Sequence, residues 1–171
     1  TGTLIIGASS YLAMIDVEDR VNVASDFTFG GVSPVGTMNA GALRIGGDFT
    51  QQSAAMPGVD SFRATDAHLT IFDGDSQLIT SVSDLNQAEF ANVEIAGAGN
   101  VNFRDRTVIE GDATVSSNSA VGAGPAEIRG DVIVTDGAWS VAETIFTGPT
   151  QFPENLFSNV TVLSEATTFD G

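Results

Sequence analysis

The sequence predicts an all-β fold, a parallel β-helix (β-solenoid) of roughly nine short coils. Three observations support this prediction. Short β-branched segments alternate apolar and polar residues with the period of two that strands require. Glycine, aspartate, asparagine or serine closes these segments, as turn residues do. Several phrases also return in the same order along the chain, which is typical of proteins whose repeated units pack on one another.

The strand pattern is clearest in eight segments, and helical periodicity is nearly absent. The segments are Val21–Val23, Leu43–Ile45, Leu69–Ile71, Val93–Ile95, Val101–Phe103, Thr107–Ile109, Val132–Val134 and Val160–Val162. In a β-helix their apolar residues would point inward. The 11 phenylalanines would then form ladders from coil to coil.

Three phrases recur loosely. The Gly-Asp phrase spans Leu43–Thr50, Val108–Val115 and Glu127–Val134; the Phe-x-Gly phrase spans Thr70–Gly74, Thr144–Gly148 and Thr168–Gly171; the Phe-x-Asn-Val phrase spans Glu89–Ile95 and Leu156–Val162. We interpret each recurrence as the start of a further structural unit.

The spacing of turn residues indicates the length of one coil. Turn-like positions are Gly7, Asp26, Asp48 and Asp66, at intervals of 19, 22 and 18 residues, and Asp112 and Asp131, 19 residues apart. A coil of this length holds three short strands and three turns. An antiparallel β-sandwich is the alternative, since it also has short strands and frequent turns. Hairpin signals are weak, with Asp73-Gly74 the best placed, so the solenoid is favoured.

Composition limits the classes of partner. The chain has 22 acidic residues against six arginines, contains no lysine, and carries a net charge of -16. Such a surface repels nucleic acid and anionic lipid and favours solubility. Cysteine is absent, which excludes disulfides and thiolate metal sites. The longest apolar runs are too short to cross a bilayer, so membrane insertion is not expected.

At 171 residues the chain fits a single solenoid domain, residues 1–171. It does not begin with methionine, and Phe169-Asp170-Gly171 resembles the opening of another cycle. We therefore interpret it as a segment of a longer chain or a subunit of a polymer. Its expected partners are neighbouring repeats or identical subunits stacked end to end.

Two motifs have a functional and a structural interpretation. Arg129-Gly130-Asp131 spells an adhesion tripeptide, but it occupies the same slot as the other Gly-Asp phrases, so a strand-to-turn element is the favoured interpretation. Asp73-Gly74-Asp75 with Asp84 faintly resembles a calcium loop. Leu78 stands where an EF-hand needs glycine, so we expect no cofactor, apart from weak Ca²⁺ binding by surface carboxylates.

The remaining candidates give little support to catalysis. His68 is the only histidine, and we interpret it as a surface residue at the end of a strand. Arg104-Asp105-Arg106 is the only basic cluster and is interpreted as a solvated turn. Trp139 and Tyr11 are too few for a sugar-stacking platform. Asn159-Val160-Thr161 matches a glycosylation acceptor but falls in a predicted strand. We therefore predict no catalytic, cofactor or metal residue, and no enzyme.

The phrases resemble the repeats of large secreted bacterial surface proteins. Gly46–Gln51, Thr70–Gly74, Phe90–Ile95 and Phe157–Val162 are similar in style to filamentous-haemagglutinin and autotransporter-passenger β-solenoids. The resemblance covers most of the chain from about Leu43 onward. It implies a non-catalytic, extracellular stalk, coat or adhesive segment, with cell-surface glycans as a further partner class. The alternative function is a carbohydrate-binding or carbohydrate-cleaving β-helix.

Overall fold

A computed structural model describes residues 2–8, 10–31, 36–52, 62–81, 87–117, 119–147 and 161–163. Within these residues the chain forms 18 strands. They are β1 Leu4–Ile6, β2 Arg20–Val23, β3 Phe27–Phe29, β4 Ala42–Ile45, β5 Phe49–Gln51, β6 Leu69–Phe72, β7 Gln77–Ser81, β8 Ala88–Phe90, β9 Asn92–Ile95, β10 Val101–Phe103, β11 Thr107–Ile109, β12 Ala113–Val115, β13 Ser119–Gly122, β14 Ala126–Ile128, β15 Val132–Val134, β16 Ala138–Val141, β17 Glu143–Phe146 and β18 Thr161–Leu163. Each of the eight segments predicted from the alternation contains or overlaps a strand.

The strands form three sheets, which are the three faces of a parallel β-solenoid. In the described residues the seven-stranded sheet has the order β1-β3-β5-β7-β10-β13-β16, the six-stranded sheet β15-β12-β9-β6-β4-β2, and the five-stranded sheet β18-β17-β14-β11-β8. Every strand pairing among the described residues is parallel. The predicted fold class is therefore confirmed, and the alternative antiparallel sandwich is wrong.

The coils differ from the prediction in number and length. The described chain makes about six turns, where the spacing predicted roughly nine. The reason is that equivalent corner residues are 22 and then 30 residues apart in the first coils. They are 20 and 19 residues apart only later in the chain.

The third face begins without regular strands. Its first positions are isolated bridges, Met14 to Met38 and Arg63 to Glu89, and paired strands follow from β8 onward. From β7 onward the chain visits the seven-, five- and six-stranded sheets in turn. On this face the longer early coils have isolated bridges where the later coils have paired strands.

The Gly-Asp phrase marks corners and does not mark one repeated position in a coil. Gly47-Asp48 precedes β5 in the seven-stranded sheet, whereas Gly111-Asp112 and Gly130-Asp131 precede strands of the six-stranded sheet. Corners of either kind bring backbones of neighbouring coils close together. A β carbon on Gly47 or Gly130, for example, would collide with backbone atoms of the preceding coil. Because corners on different faces have this same requirement, the Gly-Asp phrase recurs at different positions around the coil.

Inward side chains build one continuous core. Phe27 and Phe49 are in register in adjacent coils, and their rings stack with centroids 5.7 Å apart. This confirms the prediction of internal phenylalanine ladders. Farther along the chain, Phe103 packs on Trp139 at 5.7 Å. Within the described residues, no helix is long and apolar enough to cross a lipid bilayer.

Candidate functional site

Among the described residues, a dense set of charged contacts lies on the outer surface of the five-stranded sheet. Register places Arg63, Glu89, Val108 and Glu127 in one outward column on successive coils. Their inward neighbours along the strands are buried, which fixes these side chains on the outside. We call this surface, with Arg106, Glu110 and Arg129, the arginine–glutamate face.

Ion pairs on this face join neighbouring coils. Arg63 Nε lies 2.8 Å from Glu89 Oε2, and Arg106 Nη2 lies 2.6 Å from Glu127 Oε2. Arg129 reaches back to Glu110 with Nη1 at 2.6 Å and contacts Glu127 on its own coil at 3.2 Å. The face therefore holds three guanidinium groups and three carboxylates in a chain of net charge -16.

The network is dense enough to exclude water from an apolar side chain. Val108 lies in register between Glu89 and Glu127 and is only 2% exposed, although it points outward. The partial burial of Glu127 would by itself raise the pKa of its carboxyl, but Arg106 and Arg129 outweigh burial and lower it. Burial would likewise lower the pKa of Arg129, and Glu110 and Glu127 together raise it. These charges stabilise one another.

A recess of about 290 Å³ opens at the edge of the arginine–glutamate face. Arg63, Thr65, Asp66, Glu110 and Arg129 line it. Its lining combines both signs of charge, and its two guanidinium groups are already paired with glutamates. The recess offers polar contacts, and within it the Thr65 hydroxyl donates to Asp66 Oδ2 at 3.1 Å.

A second, more open cleft of about 570 Å³ lies beside the six-stranded sheet. Asn22, Arg44, Asp73 and Asp75 contribute its polar lining, and Arg44 pairs with Asp73 of the next coil. Asp73-Gly74-Asp75, the segment with a faint resemblance to a calcium loop, lies here at the corner after β6, while Asp84 lies outside the described residues. In the part of the chain that the structure describes, no three His, Cys, Asp or Glu residues are grouped to hold a metal ion.

Corner side chains provide a second kind of contact between coils. The backbone N–H of Asp48 donates to Oδ1 of Asp26, 3.0 Å away on the preceding coil. At another corner, Asp112 N–H donates to Asn92 Oδ1 at 3.1 Å, and Asp131 N–H donates to Asp112 Oδ1 at 2.9 Å. A backbone N–H at a corner lies outside the hydrogen bonds between paired strands, and in each case a side-chain oxygen accepts it.

The adhesion-like tripeptide lies in one of these corners. Arg129-Gly130-Asp131 connects β14 to β15, which confirms the strand-to-turn interpretation. The guanidinium of Arg129 is held by Glu110 and Glu127, and the backbone N–H of Asp131 by Asp112. The tripeptide is thus part of the contacts between coils.

The prediction that His68 lies on the surface is wrong. His68 does precede β6, but its side chain is fully buried. His68 points inward like Thr70, two residues farther along the strand, and register aligns it with Gly41 and Ala91 on the neighbouring coils. Neither ring nitrogen has a hydrogen-bond partner among the described residues. Burial lowers the pKa of His68 to about 4.

The structure also places the remaining candidates. Trp139 is fully buried and donates from Nε1 to Thr144 Oγ1 at 2.9 Å, so its ring is not available to a sugar. Tyr11 is 59% exposed in the first coil. Arg104-Asp105-Arg106 forms the predicted turn between β10 and β11, and Asp105 also accepts from the N–H of Ser81. Asn159 and Val160 lie outside the described residues.

Sequence reasoning did not find the arginine–glutamate face. Glu89, Glu110 and Glu127 lie 21 and 17 residues apart, and Arg106 and Arg129 are 23 apart. Glu110 lies outside the column, and the apolar Val108 stands between Glu89 and Glu127, so the charges do not reveal the column until the register of the strands is known. A usable signal was present in two short strands, Ala88–Phe90 and Ala126–Ile128. In each, a glutamate occupies the outward position between two buried apolar residues.

Fold and contacts together define a class: a three-faced parallel β-solenoid whose outer charged side chains join neighbouring coils. No protein-family model matches the chain, and no curated protein or solved structure proved similar to it. The function proposed below is therefore argued from the structure and from the resemblance of the repeats.

Proposed function

We propose that this chain is a non-catalytic structural β-solenoid, placed at a bacterial cell surface or in an extracellular filament. One observation carries the proposal. Within the described part of the chain, four of the six arginines pair with an acidic residue on an adjacent coil. These arginines are Arg44, Arg63, Arg106 and Arg129.

The use of arginine is informative because basic residues are scarce. With 22 acidic residues against six arginines, carboxylates stacked on successive coils repel one another. An arginine placed between two coils offsets the repulsion between their carboxylates, which would otherwise push the coils apart. The aspartate and asparagine contacts at the corners act in the same direction. Outer polar side chains thus hold coils together, as a stalk or a space-filling scaffold requires.

The dimensions favour assembly through the ends. Strands in a sheet are about 4.8 Å apart, so the seven-stranded sheet is only about 30 Å long. A stalk or filament must therefore contain several such segments. Neighbouring repeats or identical subunits stacked end to end are the proposed partners, and cell-surface glycans are the proposed target of an adhesive role.

Electron microscopy of the purified protein over a wide concentration range, with and without millimolar calcium, tests this function. We expect end-joined particles or fibres, with an axial period close to a multiple of about 30 Å. A glycan array and an assay for new reducing ends are run in parallel. Isolated single particles at every concentration, combined with glycan cleavage, would overturn the proposal and favour the carbohydrate-cleaving alternative.

A further inference from the structure

The recess at the edge of the arginine–glutamate face lies where a corner changes length from one coil to the next. Five residues, 64–68, form the corner on one coil, and only two, Phe90 and Ala91, form the corner aligned with it on the next. Ala91 is 1% exposed and ends in a methyl group. The side chains that line the recess come from the coil before Ala91 and from the two coils after it, and they enclose a depression.

Asp66 forms one wall of the recess and has an unusual backbone conformation. Its φ is 56°, and among the described residues it is the only one other than glycine with a positive φ. Its backbone C=O accepts from Asn92 Nδ2 at 3.1 Å, and its carboxylate Oδ2 accepts from the Thr65 hydroxyl at 3.1 Å. A residue held in this conformation is a frequent feature of binding sites. The Asp66 carboxylate is therefore fixed in place at an exposed corner.

The opposite wall combines a carboxylate and a guanidinium that hold each other in place. Arg129 Nη1 donates to both oxygens of Glu110, at 2.6 and 2.8 Å, and Arg129 Nη2 donates to Glu127 at 3.2 Å. A guanidinium carries five N–H donors, and a carboxylate has about four acceptor positions, so both groups can also bind a ligand. The recess thus presents donors and acceptors side by side at fixed positions, which reduces the entropy lost on binding.

We propose that the recess binds one neutral sugar residue through neighbouring hydroxyl groups. A hydroxyl both donates and accepts, so two adjacent hydroxyls match a carboxylate beside a guanidinium and leave the ion pair intact. An anion would have to compete with Glu110 for Arg129, and the net charge of -16 repels it. A cation would have to compete with Arg63 and Arg129 for the carboxylates that they already contact.

The size of the recess limits the ligand to a single residue of a glycan. Its volume of about 290 Å³ is at the lower end of the range for small-molecule sites, ~300–1,000 Å³. None of the described side chains that line it is aromatic, so a sugar gains no stacking contact. We therefore expect a dissociation constant of about 1 mM for a monosaccharide. The inference rests on the adhesive part of the proposed function, in which end-joined copies present one recess each and gain avidity for a glycan.

An NMR titration of the isotope-labelled chain locates the ligand directly. The probes are the methyl glycosides of glucose, galactose and mannose, with galacturonic acid, glucosamine and trialanine for comparison. We expect the neutral glycosides to leave the amide signal of Asp75 in the second cleft unchanged and to shift those of Thr65, Asp66, Glu110 and Arg129. The three comparison probes should bind at least about 10-fold more weakly. Neutral glycosides that shift no signal at the recess would overturn the proposal, as would tighter binding of any comparison probe.

Two variants matched in charge separate this recess from the second cleft. Asp66→Asn removes a carboxylate from the recess, and asparagine tolerates a positive φ. Asp75→Asn makes the same change in the cleft beside the six-stranded sheet. We expect Asp66→Asn to weaken glycoside binding at least about 10-fold, with circular dichroism and urea midpoint unchanged, and Asp75→Asn to bind as the wild type does. Equal binding by Asp66→Asn and the wild type would place the site elsewhere and refute the inference. If Asp66→Asn did not fold, Thr65→Val, which removes the hydroxyl that contacts Asp66, would test the same wall.

Electron microscopy of the same samples separates this inference from the proposed structural role. End-joined particles that bind none of the glycosides would overturn the recess as a sugar site and leave the structural role in place. Isolated particles whose recess signals shift with the neutral glycosides would support the sugar site and count against the structural role.

Discussion

The coils before β9 and those after it differ in length and in the side chains that fill them. Corner-to-corner spacing is 22 and 30 residues in the early coils, against 20 and 19 in the later ones. The early core is a cluster of phenylalanines around Phe49. The later core places alanine at an inward position of several strands, as in β12, β13 and β14.

The comparison shows that coil length and core volume are matched. A longer coil encloses more space, which large rings fill, whereas a short coil brings its three faces closer together. Interiors are close-packed, so each kind of coil tolerates only its own size of side chain. Of the four predictions below, those at Phe49 and Ala120 test this matching, and those at His68 and Arg129 test a buried group of the early half and an ion pair of the later half.

Removing a ring from the early half should have the largest effect. Phe49 contacts Phe27, Phe62 and Phe90 at centroid distances of 5.7, 5.1 and 5.1 Å. Phe49→Ala should lower the free energy of unfolding by about 4 kcal/mol, through lost burial and the cavity that remains. Urea denaturation measures the loss. Thr50→Ala, on the outward side of the same strand, is the control and should change it by less than about 0.5 kcal/mol.

The buried histidine gives the early half a distinct dependence on pH. The pKa of His68 is about 4 in the folded chain and about 6.5 in the unfolded chain, so below 6.5 the unfolded state binds the additional proton. Stability is therefore complete above pH 6.5 and falls as the pH drops, until about pH 4. The total loss is about 3 kcal/mol, at about 1.4 kcal/mol per pH unit.

Urea midpoints between pH 7.5 and 4.5 measure this loss, and His68→Leu separates it from other groups. The variant has no histidine, so its midpoint should stay nearly level until carboxylates begin to protonate. The carboxyl pKa of Glu127 is lowered from 4.5, so its contribution is lost in a more acidic range. An equal pH slope in His68→Leu between pH 6.5 and 5 would show that His68 is not the cause.

Enlarging an inward alanine should damage the later half. Ala120 lies in register between Val101 and Trp139, and its small side chain leaves room for the indole ring. Ala120→Leu should therefore cost about 2 kcal/mol through overpacking. Val121→Leu, at the adjacent outward position, is the matched control and should be nearly neutral. If Ala120→Leu were stabilising, the later coils would contain unfilled space and the matching of coil length to core volume would fail.

The sequence predicted the strands of both halves, but it did not predict which face of the solenoid each strand belongs to. Apolar and polar residues alternate clearly in Val21–Val23 and Leu43–Ile45, because one side of each strand is buried and the other faces solvent. The Gly-Asp phrases suggested one repeated position in each coil, but they lie at corners on different faces. These corners all need a residue that lets two backbones come close and a side chain that accepts a backbone N–H. The arginine–glutamate face depends on the register between coils, and the apolar Val108 between Glu89 and Glu127 hides its column in the sequence. His68 was misassigned because its small neighbours, Gly41 and Ala91, belong to other coils.

The smallest predicted effect concerns the ion pairs between the later coils. Arg129 bridges to Glu110 on the preceding coil and contacts Glu127, but it is about half exposed, so solvent weakens these pairs. Arg129→Gln should lower the free energy of unfolding by about 1 kcal/mol at low salt and by less at about 1 M salt. Arg104→Gln is matched in charge and exposure, and Arg104 makes no ion pair within the described residues. If both variants lost equal stability, the effect would come from net charge, and the role of Arg129 in joining coils would be refuted.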